Sequence, residues 1–187
     1  MPDYSFKSIG ENVRIFPGAK IVGAEYLEIG SNVIIDDFVF IQVTEPSYIG
    51  NYVHIASFTS ITGGGEFKIN DFCGLASGTR VITGSDDFLG SGLTNPTVPQ
   101  EFRSVTRSHV TLHKHSIIGA NAVIFPGVTI GEGCAVGAGS IVTKNLDAWS
   151  VYAGTPARRV KERPSRDIRK KEEQLFNKMG HPKKLFS

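Results

Sequence analysis

Residues 118–133 read IGANAVIFPGVTIGEG. Aliphatic side chains stand at Ile118, Ile124 and Ile130, six residues apart, and glycine directly follows the first and the last. A period of six is incommensurate with the 3.6 residues of a helical turn, and such runs are rich in β-branched residues. The phase continues outward in both directions. Downstream it reaches Val136 and Val142, and upstream Leu112. Beyond an interruption it resumes in four blocks: Ile9, Ile15, Ile21; Ile29, Ile35, Ile41; Ile49, Ile55, Ile61; and Ile69, Leu75, Val81.

A small or β-branched residue sits four places after many anchors, among them Val33, Val39, Cys73, Thr79, Ala122, Val128 and Ser140. One large and one small inward side chain per six residues describe a short strand and a corner. Three such units close a triangular coil, whose strands pair with those of the coils above and below. The spacing of 20 along Ile9, Ile29, Ile49 and Ile69, against 18 between Leu112 and Ile130, assigns two extra corner residues to the early coils. The reading is an all-β fold, a left-handed parallel β-helix, which is the known exception to right-handed crossovers. About six coils at a strand spacing of about 4.8 Å give a prism roughly 29 Å long. A β-sandwich, with period-two strands turning every 8 to 12 residues or about that, does not hold a six-residue phase through a chain.

The rest of the composition narrows the class. A chain of 187 residues suits one core with an appendage, expected as a β-helix domain over 1–161, with a loop inserted at 87–109, and a helical tail over 162–187. No run approaches the roughly 18 apolar residues of a membrane span, and the N-terminus lacks signal-peptide character, so the expected location is cytoplasmic. From residue 157 onward eleven Lys or Arg face four acids, so the tail carries about +7 and the body −5 of the net +2. No aromatic–basic platform accompanies that charge, so nucleic acid is not an expected partner. In the tail Ser165 is a candidate N-cap, Ile168, Leu175 and Phe176 mark one apolar side, and Gly180 is a stop; the charges are expected on a solvated face.

Cys73 and Cys134 are both fourth after an anchor, hence inward, and two coils apart, too far for a disulfide. They read as core residues. Phe16, Phe38, Phe40, Phe58 and Phe125 fall between inward positions and so face outward, which implies burial against further copies of the chain.

Residues 110–161 closely resemble the C-terminal coils of the hexapeptide acyltransferases, particularly galactoside and maltose O-acetyltransferases. The specific stretches are 118–133 and the closing AGTPARRVK of 153–161. The resemblance implies a homotrimer, with acetyl-CoA bound in a groove between neighbouring prisms and the acceptor attacking the thioester directly. It assigns cofactor contacts to Ala120 and Ala138, whose small side chains let the pantetheine lie on the coil, and to Thr143, Lys144, Arg158 and Lys161. The cluster of Lys144, Arg158, Arg159 and Lys161 independently suits the phosphates of CoA.

The acceptor half departs from those enzymes. The histidine of their TGHP-like motif falls, by count along the repeat, on Asp86, and a neighbouring-chain asparagine and aspartate fall on Ala56 and Gly64. Of the five histidines, His109 and His181 read as solvated, and His113 and His115 as turn-surface residues. His54 precedes the inward Ile55, so it points outward and is the candidate general base. Within one prism His54 and Asp86 occupy different corners, so Asp86 or Asp87 is expected to orient His54 of a neighbouring chain. Asn95, Glu101 and Arg103 of the long loop are candidates for binding sugar hydroxyls.

The sequence therefore points to an acetyl-CoA-dependent sugar O-acetyltransferase, by family inference one of surface-polysaccharide synthesis. The alternatives are N-acetylation of a nucleotide-linked amino sugar, or a non-catalytic or zinc-dependent trimeric β-helix. For the last, His109, His113 and His115 are too clustered on one corner to be favoured as ligands, and no metal is expected.

Overall fold

Side-chain size dictates the prism. Of the eighteen anchors all but Ile9 are buried, most of them completely, and Ile9 is 40% exposed because it lies on the open first coil. Each buried aliphatic contributes about 1.5–3 kcal/mol, so a coil gains from three at once. The small fourth positions, Ala122, Val128, Thr59, Thr79 and Ser140, are buried between them.

The computed structural model describes residues 4–182. Three parallel sheets form the faces. The first runs from Ser8–Ile9 to Thr129–Ile130, the second from Arg14–Ile15 to Ser150–Ala153, and the third from Lys20–Val22 to Ile141–Val142. Anchors pair with anchors, as in Ile29 with Ile49, Leu75 with Ile118, and Val81 with Ile124. Backbone bonds between coils are short and regular, for example Gly50 N to Ile69 O at 2.7 Å.

The chain bends through left-handed residues. Between the first and second sheets these are Asn12, Asn32, Tyr52, Phe72, His115, Gly133 and Trp149; between the second and third, Phe38, Phe58, Gly78, Asn121 and Gly139. Bulky residues rarely take positive φ, and here the ring gains a neighbour one coil away. Phe38 stacks on Phe58 at 5.1 Å, and Tyr52 on Phe72 at 4.9 Å.

Three expectations change. The prism has seven coils, the last incomplete, because Val136 pairs onward with Tyr152 and Ile130 bridges Leu146. The expected boundary at residue 161 falls inside the strand Arg158–Glu162, which folds back antiparallel on Ser150–Ala153. The helix Arg166–Met179 does not stand free: it lies along the first corner. Phe176 packs at 5.8 Å from Phe72, Glu172 bonds the His115 ring at 2.9 Å and pairs with Lys114, and the Arg169 guanidinium sits 5.1 Å over Trp149. His115 is thus buried rather than a surface turn residue. Ser165 occupies the N-cap without a side-chain cap bond, and Gly180 ends the helix. Residues 183–187 of the expected tail lie outside the described residues. No helix among the described residues is long and apolar enough to cross a membrane.

Candidate active site

The corner between the second and third sheets carries a column of small residues. Two places beyond the paired anchors Ile55, Leu75, Ile118 and Val136 stand Ser57, Ser77, Ala120 and Ala138. Backbone bonds tie the column together: Gly78 N to Ser57 O at 3.0 Å, Asn121 N to Ser77 O at 3.0 Å, and Gly139 N to Ala120 O at 2.8 Å. A Cβ on Gly139 would meet nothing within 4 Å, so the upper end of the column is open. At the lower end stand the exposed, stacked rings of Phe38 and Phe58.

Beyond the upper end Thr143 and Lys144 leave the third sheet, and the terminal hairpin presents Arg158 and Lys161, all exposed. Among the described residues no carboxylate pairs with Lys144, Arg158 or Lys161, whereas Arg159 reaches Glu162 at 3.6 Å and Ser150 Oγ at 3.1 Å. The corner therefore offers a smooth track for an extended chain and, at its end, three uncommitted cations for phosphates. Those are the requirements of an acyl-CoA.

His54 stands outward on the second sheet, about half exposed, and its Nε2 lies 3.0 Å from Oδ2 of Asp36 on the coil below. Asp36 is a partner that the sequence reading missed. It follows the anchor Ile35, so the same phase that turns His54 outward also turns Asp36 onto that face. The exposed Ile34 and Ile117 flank the pair on this sheet.

The flap springs from the corner between the third and first sheets. It begins at Gly84–Ser85, which pairs antiparallel with Thr106–Arg107, so it opens three residues earlier than the expected 87–109. Asp86 is held by Arg103 at 2.8 Å. Asp87 accepts backbone N–H groups from Leu89 at 2.8 Å, from Gly92 at 3.0 Å and from Ser91, and these hold its carboxyl below the usual range. Asn95 Oδ1 accepts from Thr97 N at 3.0 Å, while Glu101 is exposed on a single 3-10 turn. Of the expected sugar-binding residues, Asn95 and Arg103 are thus engaged in building the flap, and Glu101 is free of it. Within the chain the partner of His54 is Asp36, not Asp86 or Asp87, which lie at another corner.

Cys73 and Cys134 are buried, and burial pushes their thiols up to about 11 and about 12; Cys73 Sγ lies 3.2 Å from Ser116 Oγ. Neither is poised as a nucleophile.

Coil, corner and flap together define the class, and the chain belongs to the hexapeptide-repeat acyltransferases. Residues 110–144 match the family model described as the hexapeptide repeat of succinyl-transferase. Over 164 residues the chain is 36% identical to a dTDP-4-amino-4,6-dideoxy-D-glucose acyltransferase of Escherichia coli, covering 87% of this chain and 85% of that protein. It superposes with a TM-score of 0.87 on AntD, an N-acyltransferase from Bacillus cereus crystallised with dTDP and 3-hydroxybutyryl-CoA, at 41% identity over 92% of each chain. A maltose O-acetyltransferase from Clostridium difficile shares the fold, with a TM-score of 0.54 and 20% identity over 85% of this chain and 71% of that one. The stretches that resemble O-acetyltransferases lie in residues 110–161, whereas the similarity to AntD covers 92% of the chain.

Proposed function

We propose that the protein transfers an acyl group from an acyl-CoA to the amine of a nucleotide-linked amino sugar, of the dTDP-4-amino-4,6-dideoxyglucose type. The observation that carries this reading is the end-to-end similarity, at 36% and 41% identity, to an enzyme named for that sugar and to an N-acyltransferase. It replaces the expectation of O-acetylation, which rested on motifs of the donor half. The location proposed with this reading is the cytoplasm.

The cosubstrate lies along the second corner, pantetheine over Ala138 and Ala120 toward Ser77, phosphates toward Thr143, Lys144, Arg158 and Lys161. Three chains assemble through the outward aromatics and the Ile34–Ile117 face, which is apolar and exposed in the single chain. The acceptor sits where the flap of one chain meets the second corner of the next. AntD has been crystallised as variants at one serine and one aspartate ten residues apart. Ser77 is the one serine here followed ten residues later by an aspartate, Asp87, in the order of those two variants, which supports placing both at the acceptor. Asp87, held ionised by the loop N–H groups, suits the ammonium form of the incoming amine.

In the transfer the bound ammonium first gives up a proton to solvent, the free amine nitrogen then attacks the thioester carbonyl, the C–N bond forms, and the C–S bond breaks as the tetrahedral intermediate collapses. His54, oriented by Asp36, takes the proton from the nitrogen, and the departing CoA thiolate takes up a proton in turn. Thiol release is the measurement, with acetyl- and 3-hydroxybutyryl-CoA tested against dTDP-4-amino-4,6-dideoxyglucose and free maltose and galactosides. Release with the amino sugar alone is expected; release only with free hydroxyl sugars, or with none, defeats the reading.

A further inference from the structure

The final strand, Arg158–Glu162, lies antiparallel on Ser150–Ala153 at the upper end of the prism, with no further strand on its far edge among the described residues. Its register slips by one residue. Lys161 stands opposite Val151 and Arg159 opposite Tyr152, so Val160 is extra. Residues directly opposite in an antiparallel pair share a face, and a bulge re-aims the side chains around it. Ser150 and Tyr152 are buried, and the residues opposite them, Glu162 and Arg159, are committed to each other at 3.6 Å, with Arg159 Nε also 3.1 Å from Ser150 Oγ. Arg158 and Lys161 stand opposite Ala153 and Val151, on the outward face. Being three residues apart, they would fall on opposite faces of a regular strand, and the extra residue brings both cations to one face.

A strand paired on one side keeps such a register only if its ends are tied. Near Arg158 the tie is Ala157 N to Ile141 O at 2.8 Å. At the other end it is Arg163. Its backbone N donates to Trp149 O at 2.8 Å, and its Nη1 donates to His115 O and to Gly133 O, both at 2.9 Å. His115, Gly133 and Trp149 are the left-handed corner residues of three successive coils, at φ 63°, 65° and 51°. Their carbonyls converge on this one residue, immediately after the bulged strand.

We infer that Arg163 is a positioning residue for the acyl-CoA: by tying three coils to the bulged strand, it holds Arg158 and Lys161 on one face for the phosphates. It acts through those two cations and touches no substrate itself. For the kind of ligand this rests on the proposed function, while the tie itself is tested by binding alone.

Calorimetry of the full chain with CoA and with pantetheine, which lacks every phosphate, separates the outcomes. Wild-type protein is expected to bind CoA more tightly than pantetheine. Arg163→Met is expected to weaken CoA by about tenfold and leave pantetheine unchanged. Arg163→Lys, which keeps the charge on a different head group, is expected to fall between, and it carries the same test if the methionine variant does not fold. In a background of Arg158→Met with Lys161→Met, itself weakened toward CoA, Arg163→Met is expected to cost nothing further, because effects through shared partners do not add. An arginine that only supports the fold would weaken both ligands, or weaken CoA equally in both backgrounds; either result overturns the inference, as does unchanged CoA affinity. Wild-type protein that binds pantetheine as tightly as CoA removes the phosphate role of the two cations and the inference with it. Arg163-dependent CoA binding without transfer to a dTDP-linked amine would instead sink the proposed function and leave the tie standing.

Discussion

The second and third corners of the prism are built from the same repeat to opposite ends. Along the second, between Ser57 and Ala138, every coil keeps its phase and presents small side chains in register. Along the third, the early coils add residues, coil three spends three glycines, and coil four departs into the flap. Regularity yields a straight track suited to a ligand common to many enzymes. Interruption yields room for a ligand particular to one, because only there do side chains leave the coil. Under the proposed function, the difference predicts that donor and acceptor recognition are separable in this chain.

The comparison is most exposed to a bulky residue on the track. Ala138→Trp is expected to abolish CoA binding and lower kcat/KM by more than about 100-fold, while dTDP affinity by calorimetry stays within about twofold. Loss of both ligands together would break the separation. Next comes His54: His54→Ala is expected to lower kcat by about 100-fold with little change in either KM, and Asp36→Asn by about tenfold. Wild-type turnover by His54→Ala removes it as the base.

A smaller effect is expected at the flap. Asp86→Ala leaves the half-buried Arg103 unpaired, so the KM for the acceptor should rise about tenfold in initial-rate kinetics while the CoA dissociation constant holds. The smallest effect concerns neither ligand. Burial pushes the Glu172 carboxyl up, but hydrogen bonds from Lys114 and His115 and their charges outweigh it, so the carboxyl titrates below its usual range. Its stabilising contribution is therefore present above the ordinary carboxyl pKa and is lost as pH falls through the depressed value. Thermal melts should show wild type more stable than Glu172→Gln near neutrality, with the gap closing in acid and activity per folded molecule unaffected.

What the sequence made legible follows from what a repeat can encode. Ile15 through Val142 declare themselves by size at a fixed interval, and size alone decides burial. The seventh coil escaped because Leu146 and Tyr152 sit 16 residues beyond their partners Ile130 and Val136, off the interval. The docked helix escaped for a related reason: Tyr52, Phe72, His115 and Trp149 form one column in space, yet the flap and the shorter late coils scatter them at unequal separations along the chain. Asp36 could have been found by turning the outward phase one coil down from His54. The flap could not be counted out at all, since Asp86 and Arg103 meet only after the repeat has stopped.

His54 and Asp87 project from different faces of one prism, and that has a genetic consequence. In the proposed trimer no chain completes a centre by itself, so two inactive alleles need not add up to an inactive mixture. Co-assembly of His54→Ala and Asp87→Ala chains in equal amounts should restore about a quarter of the centres, each formed where an intact histidine faces an intact flap.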